Sequence, residues 1–279
     1  MQLRVTHVTG FQYDGKVTAS YNLAHLTPRS SATQIVVHSR IDVTPTPFSH
    51  SYRDYFGNDV AAFEVLDPHD ELTVTATSTV HTHPSPAAPP ALSWADLAAE
   101  HVADQYTELL ELNPLVRPPG DLAALVGELR ASYAKPGEAA RELCALIHRE
   151  VAYETGSTEV ETEASAAWQQ RAGVCQDLAH LVIGGLRSLG IPARYVSGYQ
   201  HPKPSAPVGE PVRGESHAWV EWWDDGWHPF DPTNDQEPGD RYVVVATGRD
   251  YGDVKPLSGI YSGGATSDLV VDVTVTQLG

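Results

Sequence analysis

The hydrophobic pattern changes its period once along this chain of 279 residues, and that change limits what each half can fold into. From residue 2 to about 83, apolar and polar residues alternate in short segments rich in Val, Thr and Ile, as in half-buried β-strands. The stretch "HPSPAAPPALS" at 83–93 interrupts this pattern, and beyond it apolar residues recur at helical spacing. The sequence therefore predicts two structurally different halves.

Four short segments of the first half are predicted to be strands. Turn-forming residues such as Asp14–Gly15 and Asp67–Pro68 lie between them. The segments are "LRVTHVTGFQY", "TQIVVHSRIDV", "AAFEVL" and "ELTVTATSTVH". Regularly spaced short strands favour an antiparallel β-sandwich. We therefore expect a sandwich over residues 1–83, a linker at 84–92 and a second domain at 93–279.

The second half begins with helices and ends with strands. Ser93 and Asp121 stand where N-caps are expected, and Pro136 suits the first turn of another helix. A further helix, "CQDLAHLVIGGLRSLG", is ended by Gly190. The segments that follow are the strands "ARYVSGYQ", "RYVVVAT" and "DLVVDVTVTQL", the hairpin "ESHAWVEWWDDGWHPFDPTND" and the mobile loop "HPKPSAPVGEPVRG" at 201–214. This order is typical of an α+β domain.

Charge and composition exclude several classes of partner. The formal net charge is −18 at pH 7 and no run of Lys or Arg occurs, so we expect no nucleic-acid partner and no anionic membrane surface. No apolar stretch is long enough to span a bilayer, and the N-terminus "MQLRVTHVTGFQYDG" lacks the apolar core of a signal peptide. Two cysteines make no disulfide framework. We therefore expect a soluble, cytoplasmic protein.

The two cysteines differ in their local pattern. Cys144 falls on the apolar stripe of the helix "GEAARELCALIHREV", which predicts a core residue. Cys175 begins a helix, where unpaired amides and the helix dipole stabilise a thiolate, and Gly173 permits a tight turn just before it. By position alone, Cys175 is explained equally well as a nucleophile and as a buried structural thiol.

The turn of the predicted hairpin decides whether a base and an acid meet. A two-residue turn would put Asp231 on the face of the sheet away from His217. A three-residue loop with Gly226 in the left-handed position pairs Trp223 with Trp227, and it makes His217 and Asp231 diagonal neighbours on one face. Turn chemistry favours the three-residue loop.

Cys175, His217 and Asp231 together supply what cysteine catalysis needs, namely a nucleophile, a proton acceptor and a carboxylate that orients the imidazole. Each residue alone has a simpler explanation: a buried thiol, a half-buried strand histidine and a turn-capping aspartate before Pro232. Because all three occur in compatible elements, the sequence favours a catalytic site.

Other candidate groups carry no predicted chemistry. His81 and His83 lack a nearby third ligand, so no metal site is expected, and no cofactor is predicted. His180 and His228 are expected to be packing or surface residues. Sheet packing accounts for most of the aromatic cluster of Trp219, Trp222, Trp223 and Trp227.

Four segments, "GVCQDLAHL", "GIPARYVSGY", "SHAWVEWW" and "GWHPFDPTND", resemble the core of the transglutaminase-like superfamily of cysteine enzymes. In the first half, "TPRS", "TPTP" and "DYFGNDVAAFEV" resemble the N-terminal region of its bacterial members. The resemblance implies a papain-like core, in which a helix carrying the cysteine packs on an antiparallel sheet carrying the histidine and the aspartate.

The resemblance also implies roles and a reaction. Cys175 would be the nucleophile, His217 the general acid and base, and Asp231 the residue that orients His217. The reaction would be acyl transfer from an amide through a thioester, with the backbone amide of Cys175 as one oxyanion donor. The candidates for a second donor are Gln176, Tyr153 and Trp168.

Alternatives stay open at this level. Water as the acceptor gives a cysteine peptidase or amidohydrolase, the leading hypothesis, whereas an amine gives a transglutaminase or amide synthase. A binding module that keeps the fold without turnover is a third alternative. The expected partner is a peptide, protein or small amide substrate, with a gating loop at 201–214 as a hypothesis and the oligomeric state left open.

Overall fold

The computed structural model describes residues 1–83, 89, 91–203, 207–263 and 266–279. Its elements are β1 (Gln2–Val17), β2 (Ala19–Thr27), β3 (Gln34–Thr44), β4 (Phe48–Arg53), β5 (Asp59–Val65), β6 (His69–Thr82), α1 (Trp94–Leu97), α2 (Glu100–Gln105), α3 (Gly120–Ser132), α4 (Pro136–Glu150), β7 (Ala152–Tyr153), α5 (Ala164–Gln170), β8 (Ala172–Gly173), α6 (Cys175–Ser188), β9 (Ala193–Gln200), β10 (Pro211–Gly214), β11 (Ser216–Trp223), β12 (Trp227–Phe230), β13 (Tyr242–Gly248), β14 (Leu257–Ser262) and β15 (Ser267–Gln277). Short 3-10 turns lie at Thr107–Leu109 and Tyr251–Asp253.

Two antiparallel sheets form the sandwich that the sequence predicts. Their strand orders are β10-β15-β1-β6-β3 and β14-β2-β5-β4, and a separate apolar cluster that includes Leu26, Phe63 and Leu72 is buried between them. Strands β2 and β4 are additions to the predicted set. Their hydrophobic signal is weak, since β2 buries the polar Ser20 and Asn22 and β4 is exposed along its whole length.

The second half of the chain contributes three strands to this sandwich. Strand β15 pairs with β1 over its whole length, β14 pairs with β2, and β10 pairs with β15. The expected division into 1–83 and 93–279 differs from this pairing, because local patterns do not reveal which distant strand covers an edge. Residues 211–214, expected within a mobile loop, form β10. Of the expected linker, residues 84–88 and 90 lie outside the described residues.

Helix α6 packs on the third sheet, of order β12-β11-β9-β13, which is the α+β arrangement expected for the second half. All its residues from Gln176 to Arg187 are buried, because α3, α4 and α5 cover the side away from the sheet. Cys144 of α4 is fully buried in the same core, as predicted. Among the helices of the described ranges, none has the length and apolar character needed to cross a membrane.

Two side-chain amides join the sandwich to the edge of the third sheet. Gln34 donates to the carbonyl of Val244 at 2.7 Å and accepts from its amide at 2.9 Å. Asn58 pairs in the same way with Thr247 at 2.9 and 2.8 Å. Each side-chain amide therefore pairs with the backbone N–H and C=O of one residue of β13, as a neighbouring strand would. These groups on the edge of the sheet would otherwise lack a protein partner.

The predicted helix starts are confirmed at two of three positions. Ser93 caps α1 in a reciprocal capping box with Asp96, and Pro136 opens α4. The prediction for Asp121 was wrong: α3 already begins at Gly120, and the Asp121 carboxylate accepts from the indole of Trp168 instead. The helical segment after Ser93 is divided into α1 and α2 at residues 98–99.

Gly184 seats α6 against the chain segment before α3, where an added Cβ would clash with the carbonyl oxygen of Val116. We expect Gly184→Ala to lower the free energy of unfolding by about 2–3 kcal/mol, because backbone has to move. In Gly127→Ala the new Cβ meets open space in the exposed part of α3, so this control should gain about 0.5–1 kcal/mol. Urea unfolding measures both, and equal effects would contradict the close approach.

Candidate active site

The first turn of α6 holds Cys175 in place through Asp177. The Asp177 carboxylate accepts from the amide of Val174 at 2.8 Å and from the hydroxyl of Thr158 at 2.6 Å. A Cβ at Gly173 would lie 2.8 Å from Cβ of Asp177, so glycine is required for this cap. Gly173 lies in the short strand β8 and not in a tight turn, and the group that comes close to it is the Asp177 side chain.

The residue after the cysteine anchors the neighbouring loop. Gln176 donates its side-chain amide to the carbonyl of Val160 at 3.0 Å, and the indole of Trp168, buried in the core, donates to Asp121 at 2.7 Å. Both side chains are thus engaged in structural hydrogen bonds. Of the three candidates for a second oxyanion donor, Tyr153 and Gln176 line the cavity over Cys175, and among the described residues Tyr153 has no structural hydrogen bond to another loop of the kind that Gln176 makes to Val160.

The hairpin has the register that the sequence predicts. Trp223 pairs with Trp227, and the ladder runs back from there to Val220 and Phe230, one residue before Asp231. The prediction about the loop conformation was wrong in one detail. Asp225, with φ of 58°, occupies the left-handed position expected for Gly226, since aspartate tolerates that conformation through its short polar side chain.

His217 lies between Asp231 and Cys175. Its Nε2 is 2.7 Å from Oδ2 of Asp231, and the imidazole lines the same cavity as Cys175, close enough for the cysteine to act on the pKa of His217. Because Nε2 faces the carboxylate, Nδ1 is the nitrogen available to the sulfur. The structure therefore brings together all three residues that the sequence singles out.

The charges in this chain reinforce one another. Burial lowers the pKa of His217, but the hydrogen bonds and negative charges of Asp231 and Cys175 outweigh it and raise that pKa well above its usual value. Burial raises the pKa of Asp231, yet the hydrogen bonds and positive charge of His217 bring it below its ordinary value. Both shifts favour the charged pair, an imidazolium beside a carboxylate, at neutral pH.

The Asp231 carboxylate has more partners than sequence reasoning found. Its Oδ1 accepts the amides of Thr233 at 2.9 Å and Asn234 at 3.2 Å. Its Oδ2 accepts Nδ2 of Asn234 and the hydroxyl of Tyr242, both at 2.7 Å. The spacing in "DPTND" is a local signal for the Asn234 contacts. Tyr242 comes from a separate strand, and no local signal identifies it.

Two cavities meet at His217. One, of about 460 Å³, lies over Cys175, and its walls include Tyr153, Val160, Tyr195, Ser197 and Glu215. The other, of about 570 Å³, is bordered by Gln200, Thr233 and Asn234 and shares Tyr153 and Glu215 with the first. Burial and the charges of Cys175 and Glu215 raise the pKa of Tyr153, so its hydroxyl stays protonated and able to donate.

The remaining candidates lie in packing positions. His180 is fully buried on α6 and accepts the amide of Tyr251 at 3.1 Å, and His228 stacks on Trp222. His81 and His83 stand at the end of β6 with ring centroids 4.4 Å apart. Within the described part of the chain, no group of three or more His, Cys, Asp or Glu side chains is placed to hold a metal ion.

Substitution of Asp231 should give a pH-dependent loss of stability. The pKa of Asp231 is lowered in the folded state, so its charge stabilises the fold above the ordinary carboxyl pKa, and this contribution disappears as the pH falls through the folded value. We expect Asp231→Asn to lose roughly 3 kcal/mol at pH 7 because it breaks a buried pair. The difference from wild type should shrink below about pH 4.

Urea unfolding from pH 3 to 8 measures this difference. Asp225→Asn is the matched control, since Asp225 is exposed in the hairpin loop and asparagine tolerates its left-handed backbone. Its effect should be small at every pH. A loss in Asp231→Asn that does not change with pH would contradict a buried ion pair.

Comparison with known proteins agrees with this architecture. Residues 3–81 match the bacterial transglutaminase-like N-terminal region, and residues 123–232 match the transglutaminase-like superfamily. An uncharacterized protein of Mycobacterium leprae is 43% identical over 99% of both chains. A protein-glutamine gamma-glutamyltransferase of Pseudomonas aeruginosa is 30% identical over 52% of this chain and 23% of its own length.

One solved structure shares the whole fold. It is a candidate cysteine protease from Cytophaga hutchinsonii, 22% identical, which covers 98% of this chain and 90% of its own with a TM-score of 0.76. At that identity the likeness establishes the fold alone. The family matches over both halves of the sequence show that this chain belongs to the transglutaminase-like superfamily, with the bacterial N-terminal region preceding the core.

Proposed function

We propose that the protein is a cysteine-dependent enzyme that transfers an acyl group from an amide through a thioester. The observation that carries this proposal is that Cys175 and His217 line one cavity while His217 is hydrogen-bonded to the buried Asp231, at the place where two cavities meet. A structural thiol needs no charged histidine and no cavity over it. The arrangement does supply a nucleophile, a proton carrier and an orienting charge.

Acylation follows from the protonation state of this chain. The sulfur of Cys175 attacks the carbonyl carbon of an amide in the cavity, and the C–N bond breaks as the imidazolium of His217 gives its proton to the departing amine. The buried carboxylate of Asp231 stabilises the imidazolium before that transfer and keeps the ring in orientation. The products are a thioester on Cys175 and a free amine.

Deacylation reverses the proton movement. Neutral His217 takes a proton from the incoming acceptor, the acceptor attacks the thioester carbonyl, and the sulfur of Cys175 leaves. The negative oxygen of each tetrahedral intermediate needs donors, and the amides of the first turn of α6 have no partner within the helix. The protonated hydroxyl of Tyr153 supports it as the second donor.

Water is the acceptor in the leading form of the proposal, which makes the protein a cysteine peptidase or amidohydrolase. The open cavities beside His217 support access of water to the thioester. An amine acceptor is the second form, and it is favoured by the relative from Pseudomonas aeruginosa that is named a protein-glutamine gamma-glutamyltransferase. Peptides, proteins and small amides are the proposed substrates in both forms.

Alkylation by iodoacetamide tests the nucleophile. Cys175 should react at pH 5–6 faster than a free thiol, because an adjacent imidazolium favours the thiolate, and His217→Ala should abolish that acidic reactivity. Cys144 is the internal control. It is fully buried, burial raises the pKa of its thiol, and it should stay unmodified in the folded protein. Mapping the modified residue by mass spectrometry separates the two, and a free-thiol pH profile at Cys175 would refute the proposal.

A substrate screen separates the acceptors. We expect chromogenic amides to be cleaved by the wild type and not by Cys175→Ala, because only the former can form a thioester. When a primary amine is added, a hydrolase should still form only the free acid and the released amine. A transferase should instead join the acyl group to the added amine, and mass spectrometry detects this new amide. Binding of amides without turnover, in a protein whose Cys175 is reactive, would instead indicate a binding module.

A further inference from the structure

We infer that Tyr242 is a positioning residue for the proposed reaction: its hydroxyl fixes the carboxylate of Asp231 in the orientation that His217 requires. This inference rests on the proposed function and adds to it a residue from a strand that carries none of Cys175, His217 and Asp231. Tyr242 opens β13, two strands away from β11 that carries His217. Its side chain is buried, with the ring 5.4 Å from that of Trp219 and 6.0 Å from the imidazole.

The direction of the Tyr242 proton follows from its neighbours. The hydroxyl oxygen is 2.7 Å from Nε2 of Gln200 and 2.6 Å from Nε2 of Gln236, which are donors only. Those two bonds occupy the acceptor positions of the oxygen. The single hydroxyl proton is therefore left for Oδ2 of Asp231, 2.7 Å away.

The orientation of the Gln200 amide and the position of the Gln236 backbone are themselves constrained. Oε1 of Gln200 accepts from Nδ2 of Asn234 at 3.4 Å, which leaves the nitrogen of Gln200 for the tyrosine. Gln236 is held by paired backbone hydrogen bonds with Asp231 at 2.8 and 3.2 Å. The Tyr242 hydroxyl is thus held between two glutamines and the carboxylate, with its donor and both acceptor positions used.

This arrangement matters for His217 because three donors share one carboxylate oxygen. Oδ2 of Asp231 receives His217, Asn234 and Tyr242, all at 2.7 Å. Asn234 lies in the exposed turn after the strand, whereas Tyr242 is buried in a sheet. The tyrosine therefore supplies the rigid contact that stops the carboxylate from rotating away from the imidazole.

Other titratable groups around the carboxylate lie on several elements. Cys144 of α4 feels the charges of Asp231 and Asp235, Arg241 lies beside Tyr242, and Cys175 of α6 faces His217. A substitution that only removes the tyrosine hydroxyl leaves all of these groups in place. Tyr242→Phe therefore removes the donor to Asp231, together with the two bonds that Gln200 and Gln236 donate to the hydroxyl, without changing any charge around the carboxylate.

The test compares Tyr242→Phe with Tyr199→Phe. Tyr199 lies on the adjacent strand β9, is equally buried, and its hydroxyl bonds to His7 of the sandwich at 2.8 Å. With one donor removed, the Asp231 carboxylate takes up a proton at a higher pH, and His217 loses its charged partner there. We expect the rate of Cys175 alkylation on the acidic side of its pH profile to fall about tenfold in Tyr242→Phe, and kcat to fall with it. The acidic limb of that profile should move to higher pH, while KM changes little.

Tyr199→Phe should retain the wild-type pH profile even though it loses a comparable hydrogen bond. Identical pH profiles for the two variants would overturn the inference. Gln236→Ala is the second variant, used if Tyr242→Phe does not fold. Gln236→Ala removes one donor to the Tyr242 hydroxyl, which loosens the hold on that hydroxyl. We therefore expect the acid limb of the Cys175 alkylation profile to move in the same direction as in Tyr242→Phe, but by less. A wild-type pH profile in Gln236→Ala would also overturn the inference. If the proposed function is wrong, the result is different: the wild-type protein itself then shows the pH dependence of alkylation that a free thiol has.

Discussion

The buried carboxylate of Asp231 is the constraint on which the candidate site depends. A charge removed from water is costly unless hydrogen bonds and an opposite charge compensate it. Here the compensation comes from two backbone amides, Asn234, Tyr242 and His217. The hairpin, strand β13 and the turn after β12 must all be in register to supply those donors. The imidazole is then oriented towards Cys175 as a consequence of satisfying the carboxylate.

The position of the thiol depends on a second carboxylate. Asp177 caps the first turn of α6 and binds Thr158 at the same time, so the cysteine and the cavity wall at 154–163 are held by one side chain. Gly173 lies close against the Asp177 side chain, and Gly184 lies close against the Val116 carbonyl. The helix that carries the sulfur is therefore fixed at its start and along its length, which suits a group that must stay aligned with a histidine on another element.

The sandwich is joined to the core by more than a linker. The last strand of the chain pairs with the first, and Gln34 and Asn58 complete the open edge of β13, the strand on which Tyr242 stands. Leu3, Val5, Val273 and Val275 of the sandwich belong to the same apolar cluster as the buried residues of α6. The N-terminal region is thus part of the support of the site, although it carries none of the three reactive side chains.

The sequence by itself determined many of the elements and the pairing of the hairpin, because hydrophobic period, helix-start residues and loop length act over a few residues. Strands with a weak hydrophobic pattern, such as β2 and β4, were not among them. The sequence also selected Cys175, His217 and Asp231, through spacing and resemblance. It missed Tyr242, the return of β14 and β15 to the sandwich, and the role of Asp121, and it gave Gly226 the backbone conformation that Asp225 adopts. Three of these depend on which distant segments meet. Such contacts are decided when the whole chain buries its apolar faces and pairs its edges, and only the tertiary structure contains that information.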